Sequence, residues 1–134
     1  MRHLIGGVLL ALTVACASNA PPTLGPADTR IWQANEAAMA LGQVQHAAIE
    51  LNKIEACDPV PCRKLLSDMN TRAVIDVVSP ALQTIRAVPD GWLATANAAV
   101  DQVNLKLDAT GKAKLRAYVE AARIILNQLA KGGV

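Results

Sequence analysis

The chain has 134 residues, 52% of them hydrophobic and 18% charged, with a formal net charge of +2. So small a basic excess argues against a nucleic-acid partner, which needs a concentrated positive face. Two Trp, one Tyr and no Phe are too few aromatics for the stacking platforms of single-strand binders or for sugar clefts.

The first segment places a basic head, Met1-Arg2-His3, before an apolar run from Leu4 to Ala15. A basic head, a short apolar run and small residues predict a secretory signal peptide. The run is about 12 residues long, against the ~20 needed to span a bilayer, so a membrane helix is not expected. It closes on Leu12-Thr13-Val14-Ala15-Cys16. That ending resembles the lipobox of bacterial lipoproteins, with Thr13 where the family prefers Leu. The resemblance covers the first sixteen residues only. It implies that Cys16 receives the lipid and becomes the first mature residue, anchoring the chain to a membrane. With Ala17 rather than Asp after the cysteine, the family's sorting habit implies the periplasmic face of the outer membrane. The competing reading is plain secretion with cleavage after Ala17 or Ala20.

Three prolines, a glycine and small residues fill Ala17 to Ala27 and read as a flexible tether. The expected organisation is therefore a signal peptide over 1–15, lipidated Cys16 and tether over 16–27, and one folded domain over 28–134. Cysteine arithmetic agrees with export. Once Cys16 is lipidated or removed, Cys57 and Cys62 remain as a pair.

Asp28 is the expected N-cap of a first helix over about 29–55, whose apolar stripe runs Ala34, Ala37, Leu41, Val44, Ala48 and Leu51. In Cys57-Asp58-Pro59-Val60-Pro61-Cys62, Asp58 reads as the cap of a second helix with Pro59 at its first position. A Cys57–Cys62 disulfide would then staple two helices at a tight corner. The C-x4-C spacing and the prolines favour a structural bridge over a redox-active pair. The second helix is expected over about 59–88. Its β-branched stretch Ala73–Val78 is read as helical because no other segment offers a partner strand. The apolar phase continues across Pro80, which predicts a kink rather than a break.

Pro89-Asp90-Gly91 signals a turn. A third helix follows over about 91–107 with Leu93, Ala96, Val100, Val103 and Leu107 on one face. After the break at Asp108–Gly111 a fourth helix carries Leu115, Val119, Ala122, Leu126 and Leu129 and ends at Lys131-Gly132. Short connections between four amphipathic helices predict an all-α, antiparallel up-down bundle.

Chemistry-bearing patterns are sparse. Met39, Gln43, His46 and Glu50 share a helix face but lack the facing ligands of a metal site, so they read as a solvated face. Ser67 and Ser79 lie near Asp68 and Asp76, yet nothing marks His46 as their partner, so no catalytic residues are assigned. Asp76 is expected to point outward between buried flanks. Lys112, Lys114, Arg116 and Arg123 make the fourth helix basic, a solvated face with Glu120 able to pair with Arg116 or Arg123. Anionic headgroups beside the anchor are the alternative. Trp32 and Trp92 are expected to plug the ends of the core. The sequence thus predicts a non-catalytic, cofactor-free, lipid-anchored envelope protein that contacts the membrane and an envelope partner. A module holding a small apolar ligand or a metal between helices is the alternative.

Overall fold

The computed structural model describes residues 24–132. Cys16 and the expected signal peptide and tether up to residue 23 lie outside the described residues, as do residues 133 and 134. The described chain folds into four helices, α1 (Pro26–Lys53), α2 (Asp68–Ala87), α3 (Trp92–Lys106) and α4 (Ala109–Gly132). A 3-10 turn, Pro89–Gly91, joins α2 to α3, and a two-stranded antiparallel ladder, β1 (Glu55–Ala56) with β2 (Arg63–Lys64), lies between α1 and α2.

Cross-helix contacts fix the bundle as up-down. Arg30 near the start of α1 reaches Asp90 in the turn after α2 at 3.7 Å. Gln33 donates to the Leu129 carbonyl near the end of α4 at 2.9 Å. Arg123 of α4 donates to Asp101 of α3 at 2.8 Å. Each helix therefore runs against its neighbours in sequence, and α1 packs against all three others.

Alanine makes that possible. The buried face of α1 is Ala34, Ala37, Ala40, Ala47 and Ala48 with Leu41 and Val44. Interaxial distance depends on the side chains at the contact, and methyl groups allow close approach. The larger side chains come from the partners: Leu66, Val74, Val78, Ile85, Val103, Leu115, Leu126 and Leu129 are almost fully buried. Trp92 is buried in the same core, and Trp32 packs against it half-buried.

Several expectations need correction. The N-cap of α1 is Gly25, not Asp28, because Pro26 enters the first turn. Asp28 instead supplies first-turn negative charge to the helix dipole. Pro26 and Ala27, read as tether, are helical. The first connection is not short, and α2 does not begin at Pro59. Residues 54–67 form a hairpin, and the cap of α2 is Ser67, whose hydroxyl accepts from the Asn70 N–H at 3.1 Å. Two prolines cannot donate to a helix, whereas Ser67 satisfies one of the orphan donors of the first turn. Cys57 and Cys62, at disulfide-bonding distance, therefore close the tip of the hairpin and do not join helix to helix. α2 runs unbroken through Pro80. Asp76 and Pro80 are both exposed, so the carbonyl that loses its donor to the proline lies on the solvent side. Ser79 lies inside the helix. Its hydroxyl donates to Gln45 of α1 at 3.2 Å.

Three polar side chains lie in the core: Gln33, Asn70 and Thr71. Each is hydrogen-bonded, Thr71 to the Ser67 carbonyl and Gln33 to the Leu129 carbonyl in the last turn of α4. Asn70 is the centre of a larger lock. Its amide donates to Asp108 Oδ1 at 3.0 Å, and its Oδ1 accepts from the Asp108 N–H at 3.1 Å. Asp108 Oδ1 also accepts from the Gly111 N–H at 2.8 Å, which caps α4. A Cβ at Gly111 would lie 2.6 Å from Asn70 Cγ, so this turn of α4 sits directly on the amide.

Gly111→Ala should therefore destabilise the bundle by about 1–3 kcal/mol through overpacking against a buried, doubly bonded amide. Gly42→Ala, where an added Cβ meets nothing within 4 Å, should be neutral or stabilise by up to about 1 kcal/mol through helix propensity. Urea unfolding of the two variants beside the parent protein checks both signs.

Candidate functional site

The residues singled out for chemistry do not converge. His46 and Met39 are exposed on α1, and Glu50 is paired with Lys53 at 3.1 Å. Ser79 contacts Gln45, and Ser67 is a helix cap. Asp76 faces solvent as expected.

The hairpin gathers three possible donors, since ligand atoms of Glu55, Cys57 and Cys62 lie within 4.8 Å of one another. Metal binding by cysteine requires thiolates. While the two sulfurs are bonded to each other, the carboxylate of Glu55 is the only conventional donor of the three. The hairpin is exposed from Ile54 to Lys64 and is held to the bundle at its base. Asn52 donates to the Leu66 carbonyl at 3.0 Å and to Asp68 at 2.8 Å, and Lys64 pairs with Asp68 at 2.7 Å. Leu66 is the buried plug beneath this base.

A better candidate is a groove of about 500 Å³ between α3 and α4. Its floor is Leu107, Ala113 and Val119, and its rim carries Lys112, Arg116 and Arg123 with Glu120 and Asn104. The groove is half open to solvent, so a molecule lying in it would keep one side in water. Helical spacing aligns Lys112, Arg116 and Glu120 along one edge of α4, while Asn104 comes from the last turn of α3 and Leu107 is its C-cap. Arg116 Nε donates to Glu120 at 3.1 Å, and Arg123 Nη2 donates across the groove to Asp101 at 2.8 Å. Glu120 thus pairs with Arg116, one of its two expected partners, while Arg123 crosses to α3. Lys112 has no ion-pair partner among the described residues. The basic residues of α4 were visible in the sequence. Their meeting with Asn104 and Leu107 was not, because it depends on the packing of α3 against α4.

Two carboxylates have lowered pKa values. Asp108 is held down by hydrogen bonds from the Gly111 N–H and the Asn70 amide. Asp68 is held down by the Asn52 amide and then by the Lys64 ammonium. Glu36 is shifted the other way, upward, by burial. Comparison with protein-family models, with curated proteins and with solved structures finds no match to this chain.

The lowered carboxylates give stability a direction in pH. A group whose folded pKa lies below its unfolded value stabilises the fold above the unfolded value, near 3.9 for Asp. That contribution fades as pH falls toward the folded value. The urea midpoint should therefore drop as pH is lowered through about 4, and Asp108→Asn should make that drop shallower. Glu36 acts oppositely, its charged form being the disfavoured one, so Glu36→Gln should be neutral or stabilising at pH 7. Urea titrations from neutral pH into the acid range read all three effects.

Proposed function

We propose that this chain is a small, lipid-anchored, non-catalytic protein of the bacterial cell envelope that serves as a structural or protein-interaction module. The observation that carries the reading is Leu12-Thr13-Val14-Ala15-Cys16 at the end of a short apolar run behind a basic head. A proline-rich stretch before α1 suits a tether between anchor and domain. Cys57 and Cys62 at bonding distance suit an oxidising compartment, where disulfides persist. No helix among the described residues is long and apolar enough to cross a membrane, so attachment through Cys16 supplies the membrane contact in this reading.

Geometry gives the module a direction. The tether would enter at the start of α1, beside the turn between α2 and α3. The 28 residues of α1 then carry the hairpin roughly 42 Å away at 1.5 Å per residue. A partner engaging the hairpin would be met at a distance from the membrane, and one engaging the opposite pole would be met beside it.

A single acyl chain gives only reversible membrane binding, and stable anchoring needs a second signal. Cells grown with labelled palmitate should yield labelled, membrane-pelleting parent protein. Cys16→Ser should take no label and appear in the soluble fraction. A parent protein that never takes label would refute the anchor. Separately, reduction of Cys57–Cys62 should cost about 2 kcal/mol or less on the chain-entropy scale for so short a loop. Helical circular dichroism should stay unchanged, because the bridged tip of the hairpin is exposed and lies outside the core.

A further inference from the structure

We propose that the α3–α4 groove binds a small amphipathic carboxylate, its anionic end held by Lys112 and Arg116 and its short alkyl part lying along Leu107, Ala113 and Val119. The inference concerns the folded domain alone and is independent of whether Cys16 is lipidated.

Charge is the first argument. The rim brings three cations to one groove, Lys112, Arg116 and Arg123, against one lining acid, Glu120. Arg123 is matched by Asp101 from the opposite helix, which leaves an excess of one positive charge, the charge a monocarboxylate would neutralise. Lys112 and Arg116 also stand one helical turn apart with like sign, an arrangement that repels. The carboxylate of Asp108, one turn before Lys112, is taken up by Asn70 and Gly111 and forms no ion pair with it.

Orientation is the second. Glu120 takes only the Nε–H of Arg116, and a guanidinium carries five donors in a fixed fork. The acid therefore leaves the terminal N–H groups free for a second carboxylate, which they suit bidentately. Asp101 pairs with Arg123 at the far end of the groove through the terminal Nη2 instead. From Lys112 to Arg123 the helix rises roughly 16 Å, long enough for a short chain but not for a long acyl tail with its headgroup.

The floor is the third. Leu107 and Val119 are only 4% and 7% exposed, so the apolar strip is made mainly by the exposed Ala113 and the aliphatic stems of Lys112 and Arg116 above them. A purely hydrophilic anion would leave that apolar strip wet, whereas a short alkyl group would cover it.

The test is titration of the full-length chain with octanoate, followed by amide chemical shifts. Acetate, octyl glucoside and phosphatidylglycerol vesicles serve as comparisons. Saturable shifts confined to residues 104–123 are expected with octanoate, with at least tenfold weaker binding of acetate and of octyl glucoside. The Lys112→Gln, Arg116→Gln double variant should bind octanoate at least tenfold more weakly. Arg116→Lys, which keeps the charge but loses the fork, should fall between. Both positions are exposed, and an unchanged urea midpoint reports that the variants fold. Equal binding of acetate would overturn the proposal in favour of a bare charge effect, and equal binding of octyl glucoside in favour of an apolar patch. Binding to vesicles without binding to free octanoate would overturn it in favour of a membrane-facing surface. Shifts centred elsewhere, or undiminished binding by the double variant, would overturn it outright.

Discussion

Everything in this bundle depends on how closely its first helix can approach the other three. α1 offers methyl groups where most core helices offer branched side chains, and so it sits against α2, α3 and α4 at once. The larger volumes that fill the centre are donated by its neighbours, chiefly Val74, Val78, Ile85, Leu115, Leu126 and Leu129. A small-residue helix surrounded by large-residue partners is a workable way to reach interior packing density with almost no aromatic rings. The arrangement has a cost in tolerance. An added methylene on α1 would have to be absorbed against up to three helices at once.

Polar contacts at the two ends of the bundle add register to the packing of the apolar stripes. At one end Gln33 closes onto the last turn of α4, and Arg30 meets Asp90. At the other, Asn70 from α2 grips both the backbone and the carboxylate of Asp108, which in turn caps α4 through Gly111. A buried amide with a satisfied partner set specifies one register, because any slip leaves its donors and acceptors unpaired at a cost larger than the bonds themselves. The same lock stands at the mouth of the α3–α4 groove, one residue from Leu107 and four from Lys112. The groove is thus framed by one of the most firmly specified turns of the chain.

The legible part of the fold was its periodicity. Alanine and leucine at three-and-four spacing marked α1, α3 and α4 to within a few residues, and the apolar phase running through Pro80 identified α2 as one helix despite its β-branched stretch. The hairpin was not legible because its signals were borrowed from another motif. An acid followed by proline also begins helices, and Leu65-Leu66 extends the apolar stripe of α2 backwards, although Leu66 is buried as a plug beneath the hairpin. Gln33 and Asn70 carried no local mark of burial, since an amide becomes a core residue only when another element brings it a partner. Asp108 with Gly111 three residues later was readable as a break, but not as the place where α2 meets α4. The groove followed the same rule. Its cations could be counted on the sequence, while its floor required two helices to be set side by side.

The contact between Gln33 and the Leu129 carbonyl carries one further consequence. The opening of the first helix and the close of the last lie next to each other, pointing the same way out of the bundle. The hairpin at 54–67, by contrast, is solvated over most of its length and contributes little beyond Leu66 to the interior. A gene rearranged so that a short glycine–serine bridge connects those neighbouring ends, with new termini opened between Cys57 and Cys62, would encode the same set of helix–helix interfaces in a different linear order. The topology of this protein is in that sense a ring with a movable opening.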